Sequence, residues 1–394
     1  MSGYLNIAVL CLLGSGASCL LHAQFTVLGR PIQIHGFGSQ GFALSDQNNY
    51  LTMHTSTGSL QFTDGGLNVT MQVTSKLRVG AQVYVRDVGA LGRWHPLLDW
   101  AVVDYKFTDW FGAQGGKVKT VFGLYNDSQD MESLHTWAIM PQSLYPLDLR
   151  SSTVAHLGGD LYGEIPLPKH LGSVAYTTYA GRRFDDRYGG YRFVTLQSGS
   201  LTDRITGWMA GADLRWNNLK PGLTLGASYL GLPAKGYGTY LANNAPYQFE
   251  VDSRSSVAYV DYQRGNLHLN AEYTRVAITG SFTGIPGISS YSGDSRGWYA
   301  AVAYRIRPKL ELGTYHSLFI SEASAPSADP ANHIRDQVFT VRFDINRHLN
   351  FKVEGHLIDG FGSVTSARGF YLRQNPDGFS RKTNLGVLRI GYTF

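Results

Sequence analysis

Apolar and polar residues alternate with a period of two along much of the chain. In Leu77-Arg-Val-Gly-Ala-Gln-Val-Tyr-Val-Arg86 the odd positions are Leu, Val, Ala, Val and Val, and the even ones Arg, Gly, Gln, Tyr and Arg. Successive side chains on a strand point to opposite faces, so one face of this segment suits lipid and the other suits water. Residues 339–345 and 349–357 repeat the pattern, and slipping either by one residue would put charges into lipid. Further segments of the same kind bring the number to about sixteen, an even number as bacterial barrels have. A segment of about ten residues, rising about 3.3 Å each and tilted near 45°, covers roughly 23 Å, which matches an apolar membrane band.

The connections sharpen this reading. Long ones are expected at 45–66, 87–97, 122–152, 183–204, 232–253, 280–295, 321–337 and 358–382, and short ones such as 74–76, 264–266 and 346–348 fall between them. A barrel with tight turns at one rim and loops at the other needs this alternation, whereas a sandwich or a propeller does not. The expected fold is therefore all-β: a transmembrane antiparallel β-barrel over residues 24–394, with about sixteen strands, long extracellular loops and short periplasmic turns.

Residues 1–23 differ in kind. The stretch 5–21 is largely apolar and ends near Leu21-His22-Ala23, which reads as a cleaved signal peptide, although no Lys or Arg precedes Arg30. Cys11 and Cys19 both lie inside it, so the mature chain is expected to carry no thiol. After residue 23 no apolar run approaches the length of a spanning helix.

Composition agrees with strands in a membrane: 46 Gly, 24 Tyr, 19 Phe and 7 Trp, with 16% charged residues. The formal charge of +5 comes from 34 basic and 29 acidic residues scattered without a basic block, so no nucleic-acid partner is expected.

At the end of the chain, Leu388, Ile390, Tyr392 and Phe394 share one face. This is similar to the terminal strand of outer-membrane proteins, and the resemblance implies that Phe394 is the assembly signal read by the barrel assembly machinery. The segment Gly116-Lys-Val-Lys-Thr-Val-Phe-Gly-Leu-Tyr125 is similar to the Gly-Arg-x-x-x-Pro-Phe-Gly segment of porins, including phosphate-selective ones, with Lys117 at the Arg position and Val121 at the Pro position. In strand count and loop order the mature chain resembles the sixteen-stranded Gram-negative porins. That resemblance implies an outer-membrane location in contact with lipid, a homotrimer, passive diffusion of small polar solutes and ions, and no enzymatic activity or cofactor.

In porins the third loop folds into the lumen and narrows it. Here the resemblance places that loop at 122–152, where Asp127, Asp130, Glu132 and Asp148 would form the constriction, and residues 131–140 are expected to make a short helix before Pro141 and Pro146. Strand parity turns Arg78, Arg86, Lys117, Lys119, Arg342, Lys352 and Arg389 toward the lumen. Opposed charges across a narrow pore would set up a transverse field favouring polar solutes. Asp104, Asp213, Asp261, Glu272, Glu311, Asp344 and Glu354 share the inward side, which leaves the sign of selectivity open.

Other signatures point to weaker alternatives. Gly36-Phe-Gly-Ser-Gln-Gly41 has dinucleotide-binding spacing but no helix pattern after it, and Gly293-Asp-Ser-Arg-Gly297 has hydrolase spacing without the strand-to-helix context that exposes a nucleophile. The twelve histidines form no metal-binding pair, and the acidic clusters Asp185/Asp186 and Glu250/Asp252 lack calcium-loop spacing. A general diffusion channel is thus the first expectation. A channel selective for a sugar, phosphate or carboxylate is the second, followed by an outer-membrane hydrolase using Ser295 and by a barrel with a plugged lumen.

Overall fold

A computed structural model describes residues 25–27, 29–168, 170–197, 199–287, 289–363 and 368–394; the segment expected to be a signal peptide lies outside them. The strands are β1 (Phe25–Val27), β2 (Arg30–Ser45), β3 (Ser59–Gln72), β4 (Leu77–Val88), β5 (Leu97–Thr108), β6 (Phe111–Lys119), β7 (Ala155–Pro166), β8 (Ser173–Arg183) and β9 (Ser200–Asn217). They continue as β10 (Leu223–Gly231), β11 (Ala234–Tyr240), β12 (Ala245–Arg264), β13 (Leu267–Thr283), β14 (Ser290–Arg307), β15 (Leu310–Ile320), β16 (His333–Asp344), β17 (Leu349–Asp359) and β18 (Lys382–Thr393). β1 forms only a short ribbon with the start of β2. β10 and β11 are two halves of one wall strand, since both pair with β9 and with β12. They part at Leu232-Pro233, where proline has no N–H for the ladder. The wall is therefore a closed antiparallel barrel of sixteen strands.

Closure joins the two ends of the chain. β18 pairs with β2 from Leu385↔Ser45 to Thr393↔Phe37. Phe394 extends this ladder by donating its N–H to the Gly36 carbonyl at 2.9 Å and accepting the Gly36 N–H at 3.2 Å. A Cβ on Gly36 would collide with the Phe394 ring, so the first glycine of the 36–41 motif admits an aromatic ring at the seam. Gly36→Val is expected to cost about 1–3 kcal/mol by overpacking this seam and to lower the folded fraction, read from heat-modifiable electrophoretic mobility.

Burial alternates as the sequence pattern requires. On β17, Lys352, Glu354 and His356 are buried, while Val353 and Leu357 are exposed on the outside. Exposed Leu67, Val83, Leu214, Phe339 and Leu388 continue the outer apolar surface, with Trp110, Tyr304 and Phe343 toward the short turns and Trp208, Tyr237 and Tyr273 toward the loops. Several segments expected as loops are strand instead. β12 begins at Ala245, and β11 fills much of 232–253, leaving only residues 241–244 as a turn. Residues 190–197 of the 183–204 connection form a helix.

Candidate functional site

β6 ends at Lys119 and β7 begins at Ala155, so the third connection spans residues 120–154. Its polar groups are held by wall residues around most of the barrel, in three patches.

The first patch lies at β4, β5 and β6. The Lys119 ammonium contacts Asp130 and lies 3.6 Å from Asp99, and the Arg150 guanidinium lies 3.0 Å from Asp99 and 3.7 Å from Asp130. Gln82 donates to Asp130 at 2.7 Å and to Asp99 at 3.0 Å. Arg150 also lies 4.2 Å from the Tyr84 ring centroid. Two acids and two bases thus form a neutral cluster in which Asp99, Asp130 and Arg150 are buried and Lys119 stays partly exposed, and low dielectric strengthens the buried contacts.

The second patch lies at β16, β17 and β18. Lys352, fully buried, pairs with the Glu132 carboxylate and donates to the carbonyls of Glu132, His135 and Trp137 at 2.8, 2.6 and 3.0 Å. Arg342 donates to the His135 carbonyl at 2.8 Å, and Arg389 to that of Ala138 at 2.6 Å. Glu354 accepts the N–H groups of Ala138 and Ile139, each at 2.8 Å. These bonds explain why the helix expected over 131–140 is absent and only a three-residue turn, Glu132–Leu134, remains. Wall charges take up the carbonyls and amides that helical bonds would otherwise satisfy.

The third patch lies at β9, β10, β13 and β14. Glu272 accepts the Leu124 N–H at 2.9 Å and the hydroxyls of Tyr145 and Tyr299. Gly123 donates to Ser228 and accepts from Arg215, both at 2.9 Å. Asp99 on β5 and Glu272 on β13 lie seven strands apart around a sixteen-strand ring. Because Tyr145 meets Glu272 and Arg150 meets Asp99, the loop crosses the lumen from one wall to nearly the opposite one.

The remaining sequence candidates take varied places. Asp148, with no exposed surface, accepts the Tyr371 hydroxyl and the Arg368 N–H from the connection before β18. Arg86 is buried and donates to the Leu147 carbonyl at 2.6 Å. Asp127 meets Lys119 through its carbonyl, and burial raises the pKa of its carboxyl. Arg78 pairs with Asp104 at 3.2 Å and stays half exposed, away from the loop. Lys117 departs from the parity reading. Its register partners are Ala101 and Leu157, the latter 59% exposed, so its side chain starts on the lipid face. The ammonium bends back to the Leu98 carbonyl and lies 3.5 Å from the Phe184 ring centroid. The expected field across a gap is likewise replaced by contact, since Lys119 and Lys352 touch the loop acids directly.

Sequence reasoning did not single out Asp99 and Arg150. A bulge between Gln82 and Val83 in the β4–β5 register spoils the parity count near Asp99, and no local signal marks it. Glu272 and Glu354 were legible only as inward acids. Glu272 holds a loop amide and two tyrosines, and Glu354 holds two loop amides together with Thr340 and its neighbour His356. Ser295, in the hydrolase-like spacing, pairs with Val276 within the β13–β14 ladder and sits on no strand-to-helix turn.

His135 belongs to the loop and is buried; burial pulls its imidazole down to about 4. A base whose pKa is depressed on docking supports the docked state fully above its free value of about 6.5 and withdraws that support as pH falls toward about 4. Loop docking is therefore expected to weaken between those limits, with accelerated proteolysis of residues 122–152 as the readout. His135→Gln should flatten that pH dependence.

Neither a protein-family model nor a curated protein matches the sequence. Solved structures do match its fold. The outer membrane channel DcaP of Acinetobacter baumannii superposes with a TM-score of 0.58 at 12% identity, covering 94% of this chain and 100% of that one. An anion-selective porin from Comamonas acidovorans gives 0.56 at 9% identity over 93% and 100%. OmpT, an outer membrane protein of Vibrio cholerae, in its trimer form gives 0.55 at 11% identity over 92% and 99%. At such identities the likeness establishes the fold, and the chain has the sixteen-stranded barrel of bacterial outer-membrane porins.

Proposed function

We propose that this porin-fold barrel is an outer-membrane channel for small polar solutes and ions, with residues 120–154 as the element that sets its bore. The observation that carries the reading is the docking of that loop across the lumen by wall charges from three sides. A loop held this way narrows a water-filled barrel and lines what remains with paired charges, which suits hydrated solutes better than apolar ones. The lipid-facing apolar surface, with aromatic residues toward both ends, supports the membrane location. Phe394 at the barrel seam supports its role as assembly signal, and the trimer form of a protein with this fold supports a homotrimer. Purified protein in planar bilayers should show discrete ion conductance; its absence from folded protein, including variants with loosened loops, would count against the channel.

The charge pairs also give a direction to selectivity. Asp130→Asn combined with Glu132→Gln leaves Lys119, Arg150 and Lys352 with fewer counter-charges. The cation-to-anion permeability ratio is expected to fall by roughly threefold or more, read as a shift in reversal potential under a salt gradient. An unchanged reversal potential would show that Asp130 and Glu132 do not set the field in the conducting path.

A further inference from the structure

Above the third loop, the long connections bury apolar side chains in one core with the inner wall of β2, β3, β4, β16, β17 and β18. Leu51 and Met53 come from residues 46–58, Leu91 from 89–96, Ile139 from the third loop, Phe193 from the helix Gly190–Gln197 and Phe370 from the connection before β18. Each of the six is at most 4% exposed. The surface loops of a soluble protein carry polar side chains outward; these loops bury apolar ones against each other where a channel would be open.

Polar ties join the same connections. The Leu51 N–H donates to the Gly369 carbonyl, and Asn49 and Asn375 exchange hydrogen bonds, which ties the first long connection to the last. The Gly190 N–H donates to the Asp148 carbonyl and the Tyr191 N–H to Ser152, which ties the helix to the third loop. The Gly92 N–H reaches the Tyr188 carbonyl, and Tyr371 reaches Asp148.

One joint in this assembly is poorly satisfied. Arg86 Nη2, Asp186 Oδ2 and Ser151 Oγ each lie 2.6 Å from the position a Cβ on Gly189 would occupy. All three are buried and have no hydrogen-bond partner among the described residues. Buried polar atoms left unpaired favour any state in which water reaches them, so the apolar packing and this joint pull in opposite directions. An element balanced between two such terms is poised to have two positions.

We propose that the first, second and fourth long connections and residues 368–381 form a lid that closes the barrel mouth at rest, and that solute passage requires its displacement. The lid rests on the channel reading above and specifies its regulation. Its parts are tied to one another by these hydrogen bonds and to the wall by the shared core, and the unpaired groups at the Gly189 joint oppose that hold.

Single-channel recording in planar bilayers tests this. Wild-type protein is expected to stay mostly in a low-conductance state with brief openings, and Leu51→Ser with Phe370→Ser to raise the open fraction by at least about tenfold. The mature chain is expected to lack cysteine, so Ser152→Cys with Gly190→Cys gives a clean lock. A Cβ on Gly190 would lie 3.1 Å from that of Ser152, so a bridge forms once the backbone at Gly190 gives by about 0.5 Å, and oxidation should then suppress openings that reductant restores. Steady full conductance of the wild type, unchanged by the loosening pair and by the oxidised lock, overturns the lid. A folded barrel that stays silent even with residues 368–379 replaced by a short Gly-Ser linker overturns the channel reading itself and the lid with it.

Discussion

Lys352→Met is expected to release residues 132–139 from the barrel wall while leaving the strands paired. The ammonium is fully buried and serves one carboxylate and three loop carbonyls, whereas its neighbours Arg342 and Arg389 each hydrogen-bond one loop carbonyl, of His135 and Ala138, and otherwise bond wall residues. Methionine fills much of the same volume but leaves Glu132 as a buried charge without its main partner. Breaking one side of a buried ion pair costs about 3–5 kcal/mol, more than most single docking contacts return. The strand ladder contributes independently, so heat-modifiable mobility should persist. Proteolysis within 122–152 should accelerate, and conductance should become larger and noisier. Adding Glu132→Gln removes the stranded charge, so the double variant should recover part of the loss; a double variant worse than the single would show that Glu132 is not the partner that matters.

The barrel was legible because lipid imposes a strict rule on every spanning strand. Val353 and Leu357 must face outward, and that demand fixes Lys352, Glu354 and His356 inward without reference to any other strand. The rule stops at the membrane edge. β12 continues from Ser253 back to Ala245 with β11 beside it, and there Tyr247 and Phe249 turn inward while Gln248 and Glu250 face the water outside. The period of two persists, but with polar residues outward it offers no lipid face and reads as loop although its backbone is ladder.

The interior of the barrel was less legible, for a reason of distance along the chain. Residues 131–140 have a helical look until their backbone partners are known, and those partners, Lys352 and Glu354, lie more than 210 residues away. Asp130, Glu132 and Asp148 were legible as candidate acids because they stand in the third loop, but Asp99, Arg150 and Glu272 acquire their roles only when that loop crosses the lumen. The apolar residues of the lid had a local signal in Leu51, Met53, Phe193 and Phe370, each set in an otherwise polar connection. Such residues mean a partner surface, yet which loops supply it follows only from the closed ring.

Glu272→Ala is expected to free the opposite side of the same loop. The carboxylate is buried and lies in no ion pair among those described; it is held by one amide and two tyrosine hydroxyls. Two of those donors, Leu124 and Tyr145, stand near the two ends of the loop, so one side chain closes the loop against β13. Truncation leaves three buried donors unpaired at about 1–3 kcal/mol each before relaxation, together with the space of the lost carboxylate. The loop should then swing from β13 while Lys119, Arg150 and Lys352 still hold it elsewhere. Conductance should rise without the general proteolytic opening expected of Lys352→Met. Glu272→Gln keeps an acceptor but brings an amide donor toward the Leu124 N–H, so it should fall between the wild type and alanine. The Glu272 and Lys352 patches share no hydrogen-bond partner, so the two losses should add when combined. A combined variant no worse than either single would mean that release at one wall already undocks the other, and that the loop behaves as a single rigid strut across the lumen.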